Sequence, residues 1–309
     1  MSKKGQEILS NAAGKVRYRL TNDYLFRAVM QRNKKVLVGL LSALLYLKPE
    51  DIESIEITNP IILGEEIDEK TFILDIKIIL NQNVIINIEM QVADYHDWVE
   101  RSLVYLCRAF DQPVKGSAYL DIKETVHISI LAFTLFPDYP EFYAQYQMLN
   151  VKNHHVYSDK FRLYVLDLTQ TELATTEDRQ YSLYQWAKLF KAQTWEEIKM
   201  LAKENEYIEE AAVTMFDVTA EENIRLQCEA RQRYEEDRAS LLASGMRQGM
   251  ELGMEQGLEQ GIKQGIKQGT ERYATLNQLL IRESRYEEIA RAAEDEAYRN
   301  HLYKKYHIN

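Results

Sequence analysis

The stretch that most narrows the folds open to this chain is residues 71–92, TFILDIKIIL-NQN-VIINIEMQV. Apolar residues alternate with polar ones on both sides of a short Asn/Gln break, the pattern of two strands joined by a tight turn. Phe72, Leu74, Ile76, Ile78 and Leu80 take one face of the first strand. Ile86, Ile88, Met90 and Val92 take one face of the second. A three-residue loop at Asn81, Gln82 and Asn83 sets Leu80 opposite Val84. The register then follows: Lys77 faces Asn87, Asp75 faces Glu89 and Ile73 faces Gln91. A slip of one residue would put one strand's apolar row on the other's polar face, so burial resists it.

Two carboxylates directly opposite on a sheet repel by roughly 0.2–1 kcal/mol. A lysine, a shared proton or a metal ion must offset that repulsion. Hard divalent cations such as Mg²⁺ favour carboxylate and carbonyl oxygens, which this face offers. The competing reading is a solvated or structural ion cluster of Asp75, Lys77 and Glu89 on an open sheet face, a common arrangement in antiparallel sheets.

The composition, 46% hydrophobic and 28% charged, is that of an ordinary globular chain. No apolar run approaches the roughly 20 residues needed to span a bilayer, and the charged first residues lack the apolar centre of a secretory signal. Two cysteines, Cys107 and Cys228, make no disulfide framework, so a reduced, cytoplasmic setting is expected. The net charge of −10 is unevenly spread. Residues 1–50 hold ten Lys/Arg and three acids, and residues 51–100 hold two Lys/Arg and twelve acids. A basic segment beside an acidic centre can grip phosphate while a metal ion binds the acids; Arg27, Arg32, Lys34 and Lys35 would equally suit the wet face of a helix.

Residues 2–16 are expected to be mobile. A helix opens at Thr21-Asn22-Asp23, where Thr21 or Asn22 can cap and Asp23 suits the helix dipole. A second helix covers about Lys34 to Leu47, and Ile52 to Thr58 reads as a short strand. After the hairpin, a helix from about His96 to Phe110 carries Val99, Leu103, Leu106 and Phe110 as its expected core stripe. Arg101 and Tyr105, four residues apart, share another face, and Cys107 is expected to be buried. Thr125 to Phe136 and a stretch within His154 to Leu168 read as strands, so strands and helices alternate in an α/β layer structure.

The last 169 residues contain no proline, and helical patterns dominate there, at Tyr181 to Lys191, at Thr194 to Asn205 with a capping-box spacing at Thr194 and Glu197, and in a charged run from about Glu221 to Leu242. Seven of the twelve glycines fall at positions 245, 249, 253, 257, 261, 265 and 269, in units such as GMEQ and GIKQ. Seven glycines inside a helix cost about 7 kcal/mol against alanine. A period of four drifts about 40° per unit against 3.6 residues per turn, and glycines at this spacing let two backbones approach closely. The repeat, residues 243–270, is a self-association or partner-binding segment, or else a flexible connector. The expected division is residues 1–220 and a helical tail, 221–309.

An Asp on one strand followed by Glu-x-Lys on the next resembles the PD-(D/E)xK nuclease pattern, here Asp75 with Glu89-Met90-Gln91. Gln91 stands where that pattern has lysine. The segments TNDYLFRAVM, LDIKI, NIEMQ, RSLVYLCRAF, VHISILAFTLF and KFRLYVLDL together resemble the PD-(D/E)xK family transposases, also called the Rpn recombination-promoting nucleases, over about residues 18–170. In that subgroup Glu-x-Gln is usual, and glycine-repeat tails are seen.

The resemblance implies a restriction-endonuclease-like core, a mixed sheet flanked by helices, and a metal-dependent DNA endonuclease linked to recombination or mobile elements. Asp75 and Glu89 would hold Mg²⁺ or Mn²⁺, and Gln91 would orient water or phosphate. Lys77 would supply the missing cation, and Arg101, Tyr105 and Asp23 would contact substrate. Two sites for two strands imply a dimer, through the tail. The rival reading is a catalytically degenerate nuclease fold that binds DNA or assembles. No zinc-type His/Cys cluster and no phosphate-cradling GxxxxGK loop is present.

Overall fold

A computed structural model of the chain describes residues 1–59, 76–112 and 118–308. The contacts divide the chain into two units, Met1–Asp237 and Arg238–Asn309.

Among the described residues, the first unit is built on a mixed six-stranded sheet in the order β1-β2-β3-β4-β6-β5. The strands are β1 (Ile55–Ile57), β2 (Ile76–Leu80), β3 (Val84–Gln91), β4 (Glu124–Leu131), β5 (Tyr143–Leu149) and β6 (Val156–Asp167). The β2–β3 hairpin has the register expected from its alternation: Leu80 pairs with Val84, Ile78 with Ile86, Lys77 with Asn87 and Ile76 with Ile88. Asn81 and Gln82 adopt positive φ in the connecting turn. β3 and β4 then run parallel, as do β4 and β6. A parallel crossover needs a covering element, and helix α4 (Trp98–Phe110) lies between β3 and β4 in the chain.

The two faces of the sheet differ. On one, Ile76, Ile78, Ile86, Ile88, Val126, Ile128, Ile130 and Leu166 join the main core. That core includes buried side chains from helices α2 (Asp23–Arg32), α3 (Lys34–Leu45), α6 (Leu183–Lys191), α7 (Trp195–Glu204) and α8 (Glu206–Ala220). Caps fix several helix starts: Asn22 accepts from the Leu25 N–H, and Thr194 and Glu197 form the expected capping box. Gly39 on α3 marks a close helix contact, because a Cβ there would meet the Tyr207 Cβ at 2.4 Å. Gly39→Ala is therefore expected to cost about 1–3 kcal/mol by overpacking, seen as a lower urea midpoint at unchanged slope.

The other face is polar at its centre. Asn87, Glu89 and Gln91 of β3 and Thr125, His127 and Ser129 of β4 are all buried, and α4 packs across these strands.

Several expectations change. Residues 2–16 are not a loose leader: α1 (Lys3–Ile8) is capped by Ser2, whose backbone N–H donates to both carboxylate oxygens of Glu209 at 2.7 and 2.8 Å. Leu9 and Ala12 enter the main core. On α4 the buried stripe is Trp98, Ser102 and Leu106, while Leu103 is 46% exposed and Val99 36%. The helix rotates to lay its Trp/Arg/Tyr edge on the polar strands, and this turns Cys107 out to solvent. The strand from Thr125 ends at Leu131. β5 answers to no expected strand, and helices α5 (Thr176–Gln180) and α8 fall outside the expected segments.

The glycine repeat is helical. Helix α9 runs from Glu222 to Arg282 without a break at any of the seven glycines. Its first turns belong to the first unit, where Ile224 and Cys228 are buried in the main core. In the second unit, Met246, Met250, Met254, Leu258, Ile262 and Ile266 are exposed, and a Cβ at any of the seven glycines would meet no neighbouring atom within 4 Å. The end of α9 packs with α10 (Tyr286–Glu294) and α11 (Glu296–Lys305) around Leu276, Leu280, Ala292 and Leu302.

Candidate active site

The polar face of β3 and β4 is built by alternation: apolar side chains on the core side leave every second position for the α4 side. Asn87 pairs with His127 and Glu89 with Ser129 across the parallel ladder. Glu89 is 6% exposed. A carboxylate this buried needs a charged or hydrogen-bonded partner, and Arg101 supplies one, its Nη2 lying 2.5 Å from Glu89 Oε1. The guanidinium carbon lies 5.0 Å from the centre of the Trp98 ring and 5.6 Å from that of Tyr105. Burial works against the Arg101 charge, but Glu89 and Tyr105 outweigh it and hold the pKa above its ordinary value. Trp98 is anchored in turn by its Nε1–H, which donates to Ser129 Oγ at 3.1 Å.

His127 is fully buried beside this pair. Its Nδ1 lies 3.0 Å from Asn87 Nδ2, so Nδ1 accepts and the proton is carried on Nε2. Burial, with a smaller contribution from the Arg101 charge, lowers its pKa to about 3 and keeps the ring neutral. His127 Nε2 and Asn87 Oδ1 have no hydrogen-bond partner among the described residues. Sequence reading missed these two. The available signal was a histidine and a serine at alternate positions of the otherwise apolar strand VHISI.

The other expected site residues are dispersed. Gln91 is buried, and its side-chain amide donates to the Ala93 carbonyl at 2.9 Å, folded onto the loop that follows β3. Lys77 is opposite Asn87 in the register and exposed. Asp75 lies outside the described residues, as do Ile73 and the acidic stretch 64–70. Asp23, the first residue of α2, is held by Arg231 of α9, whose Nε lies 2.8 and 2.6 Å from its two oxygens. Burial raises the Asp23 pKa to about 6 against the opposing pull of Arg231. Arg231 also pairs with Glu235 at 2.6 Å, and Tyr95, just after β3, donates to Glu235 at 2.9 Å. Asp23 is thus joined through α9 to Tyr95, in the loop that follows β3. Neither Arg231 nor Glu235 stood out in the sequence.

Among the described residues no group of three or more His, Cys, Asp or Glu side chains is placed to hold a metal ion. Glu89 is a hard-oxygen donor of the kind divalent ions take, and in this structure the Arg101 guanidinium occupies one of its oxygens.

The core is thus a mixed sheet with a buried glutamate on its β2–β3 hairpin, lying under an arginine-bearing helix. The sequence pattern of the PD-(D/E)XK nuclease family transposases matches residues 20–245, and the chain belongs to that family. No match was found among curated proteins or among solved structures. No helix among the described residues is long and apolar enough to cross a membrane.

Proposed function

We propose that the chain is a metal-dependent DNA endonuclease of the Rpn type, acting in the cytoplasm on DNA in recombination or in the movement of mobile elements. The observation that carries this reading is the burial of Glu89 on β3, in a hairpin whose register ends, among the described residues, at Ile76 and Ile88. One further pair in that register would bring Asp75 opposite Glu89. These two would hold Mg²⁺ or Mn²⁺, which when bound polarises a phosphate oxygen and lowers the pKa of water. Arg101 and Tyr105 would meet the phosphate, Arg101 exchanging part of its hold on Glu89 for it. Lys77 adds charge at the next register position on the same face, Gln91 orients water without acting as a base, and Asp23 braces the substrate edge through Arg231.

The test is nicking of supercoiled plasmid with Mg²⁺, by the wild type and by Asp75→Ala. Loss of nicking in the variant is expected; unchanged nicking would remove the assignment. A second reading, a degenerate nuclease fold that binds DNA or assembles, is favoured by the Arg101 guanidinium on Glu89 and by the side chain of Gln91 bound to its own loop. Calorimetry with Mn²⁺ separates the two, because absence of binding at millimolar metal supports the second.

The exposed apolar residues and open glycines of 243–270 support self-association of the tail as a dimer. Light scattering is expected to show fewer chains per particle when residues 243–309 are removed. The same number of chains per particle in both forms, a monomer in each above all, would retire the idea.

A further inference from the structure

β5 is the outer strand of the sheet, and its sequence from Tyr143 to Leu149 reads YAQYQML, with no charged residue and no proline. Outer strands are ordinarily guarded by lysine, proline or a covering element, because their free N–H and C=O groups accept another strand. Here a bulge beyond Gln147 is the guard, and it leaves the stretch from Tyr143 to Gln147 regular. The Asp167 N–H donates to the Phe142 carbonyl at 2.9 Å, which marks that opposed pair as hydrogen-bonded. By the alternation of an antiparallel ladder, Ala144 and Tyr146 also direct their backbone groups at β6. Tyr143, Gln145 and Gln147 direct theirs outward. Among the described residues no backbone group bonds this outer edge. Tyr146, Met148 and Leu149 are all more than a third exposed.

The strand is also complementary to itself. Turned antiparallel about Tyr146, it sets Gln145 opposite Gln147 of a second copy and Tyr146 opposite Tyr146, all within the regular stretch. Both Gln145–Gln147 pairs fall at outward-bonding positions, so they can exchange N–H···O bonds in both directions. Tyr146 falls at the non-bonded pair, where the chains come closest. No like charges meet. We propose that two copies of this chain pair through β5, centred on Tyr146, joining their sheets edge to edge. This contact is separate from the tail and does not depend on the nuclease reading.

The test uses the full chain with Cys107→Ser, since Cys107 is exposed. Tyr146→Cys is expected to form a disulfide-linked dimer under mild oxidation, because directly opposed strand residues bring Cβ atoms within about 5 Å. Val151→Cys, beyond the strand and highly exposed, is not. Adding Gln145→Lys with Gln147→Lys should slow cross-linking about tenfold, and Gln145→Lys with Gln147→Glu should restore it. Cross-linking at Tyr146 no faster than at Val151, or no difference between the two charge pairs, overturns the proposal. Independently, amide exchange at Gln145 and Gln147 of the unsubstituted protein should slow as its concentration rises; exchange that ignores concentration overturns it as well.

Discussion

Glu89→Ala is expected to reduce Mg²⁺-supported DNA nicking by at least about 100-fold, the scale of losing one preorganised electrostatic contact to a developing charge. The substitution has a second, structural consequence. Arg101 now shares the 2.5 Å contact with Glu89, and truncation strands a partly buried guanidinium between Trp98 and Tyr105. Removing one partner of a buried ion pair costs about 3–5 kcal/mol. The Arg101 side chain is 26% exposed, which brings the expected loss toward the lower end. Glu89→Gln keeps the shape and an acceptor oxygen, so it should lose nearly as much activity while losing less stability. Nicking assays paired with urea unfolding of both variants separate the contributions. Full activity in a folded Glu89→Gln protein would exclude Glu89 from catalysis.

His127 gives the second large effect. Its folded pKa of about 3 lies far below the ordinary value of 6.5 because burial disfavours the charged ring. In that window the unfolded chain binds the proton and the folded chain does not. Stability attributable to the neutral ring is therefore full above 6.5 and lost as pH falls toward 3. Between pH 7 and pH 4 the loss should be about 3 kcal/mol.

Asp23 works in the opposite sense. Its folded pKa of about 6 lies above the ordinary carboxylate value of 3.8 because burial disfavours the charged form. Its contribution is present below 3.8 and lost as pH rises through 6. The two partly cancel in the wild type, so the comparison that isolates His127 is between wild type and His127→Gln. The variant should be less stable at pH 7 and should lack the acid-side decline of about 3 kcal/mol. Urea midpoints at pH 7 and pH 4 read this directly, and equal acid slopes in both proteins would show that the ring is not held neutral.

Much of the central hairpin was legible before any coordinates. Its register required only period-two alternation and a three-residue turn, and the pairs from Leu80–Val84 to Ile76–Ile88 follow. The helix starts at Asn22 and Thr194 were equally local, since a cap is a contact within one turn. β5 escaped because its alternation carries glutamines and an exposed face, so burial leaves little periodic imprint on the sequence. The α4 stripe was misjudged for a related reason. Hydrophobicity favoured Val99 and Leu103, whereas the surface beneath the helix is polar and takes Trp98, Arg101 and Tyr105.

The sequence by itself determined the central hairpin and its pairing, the helical tail and the family to which the chain belongs, because each is written in spacing along the chain. Tertiary structure alone decided which polar and charged groups meet. Glu89 finds Arg101, Asn87 finds His127, and Asp23 finds Arg231 across 208 residues. Such partners are chosen by what the packed layers bring within hydrogen-bond reach, and no local periodicity records that choice.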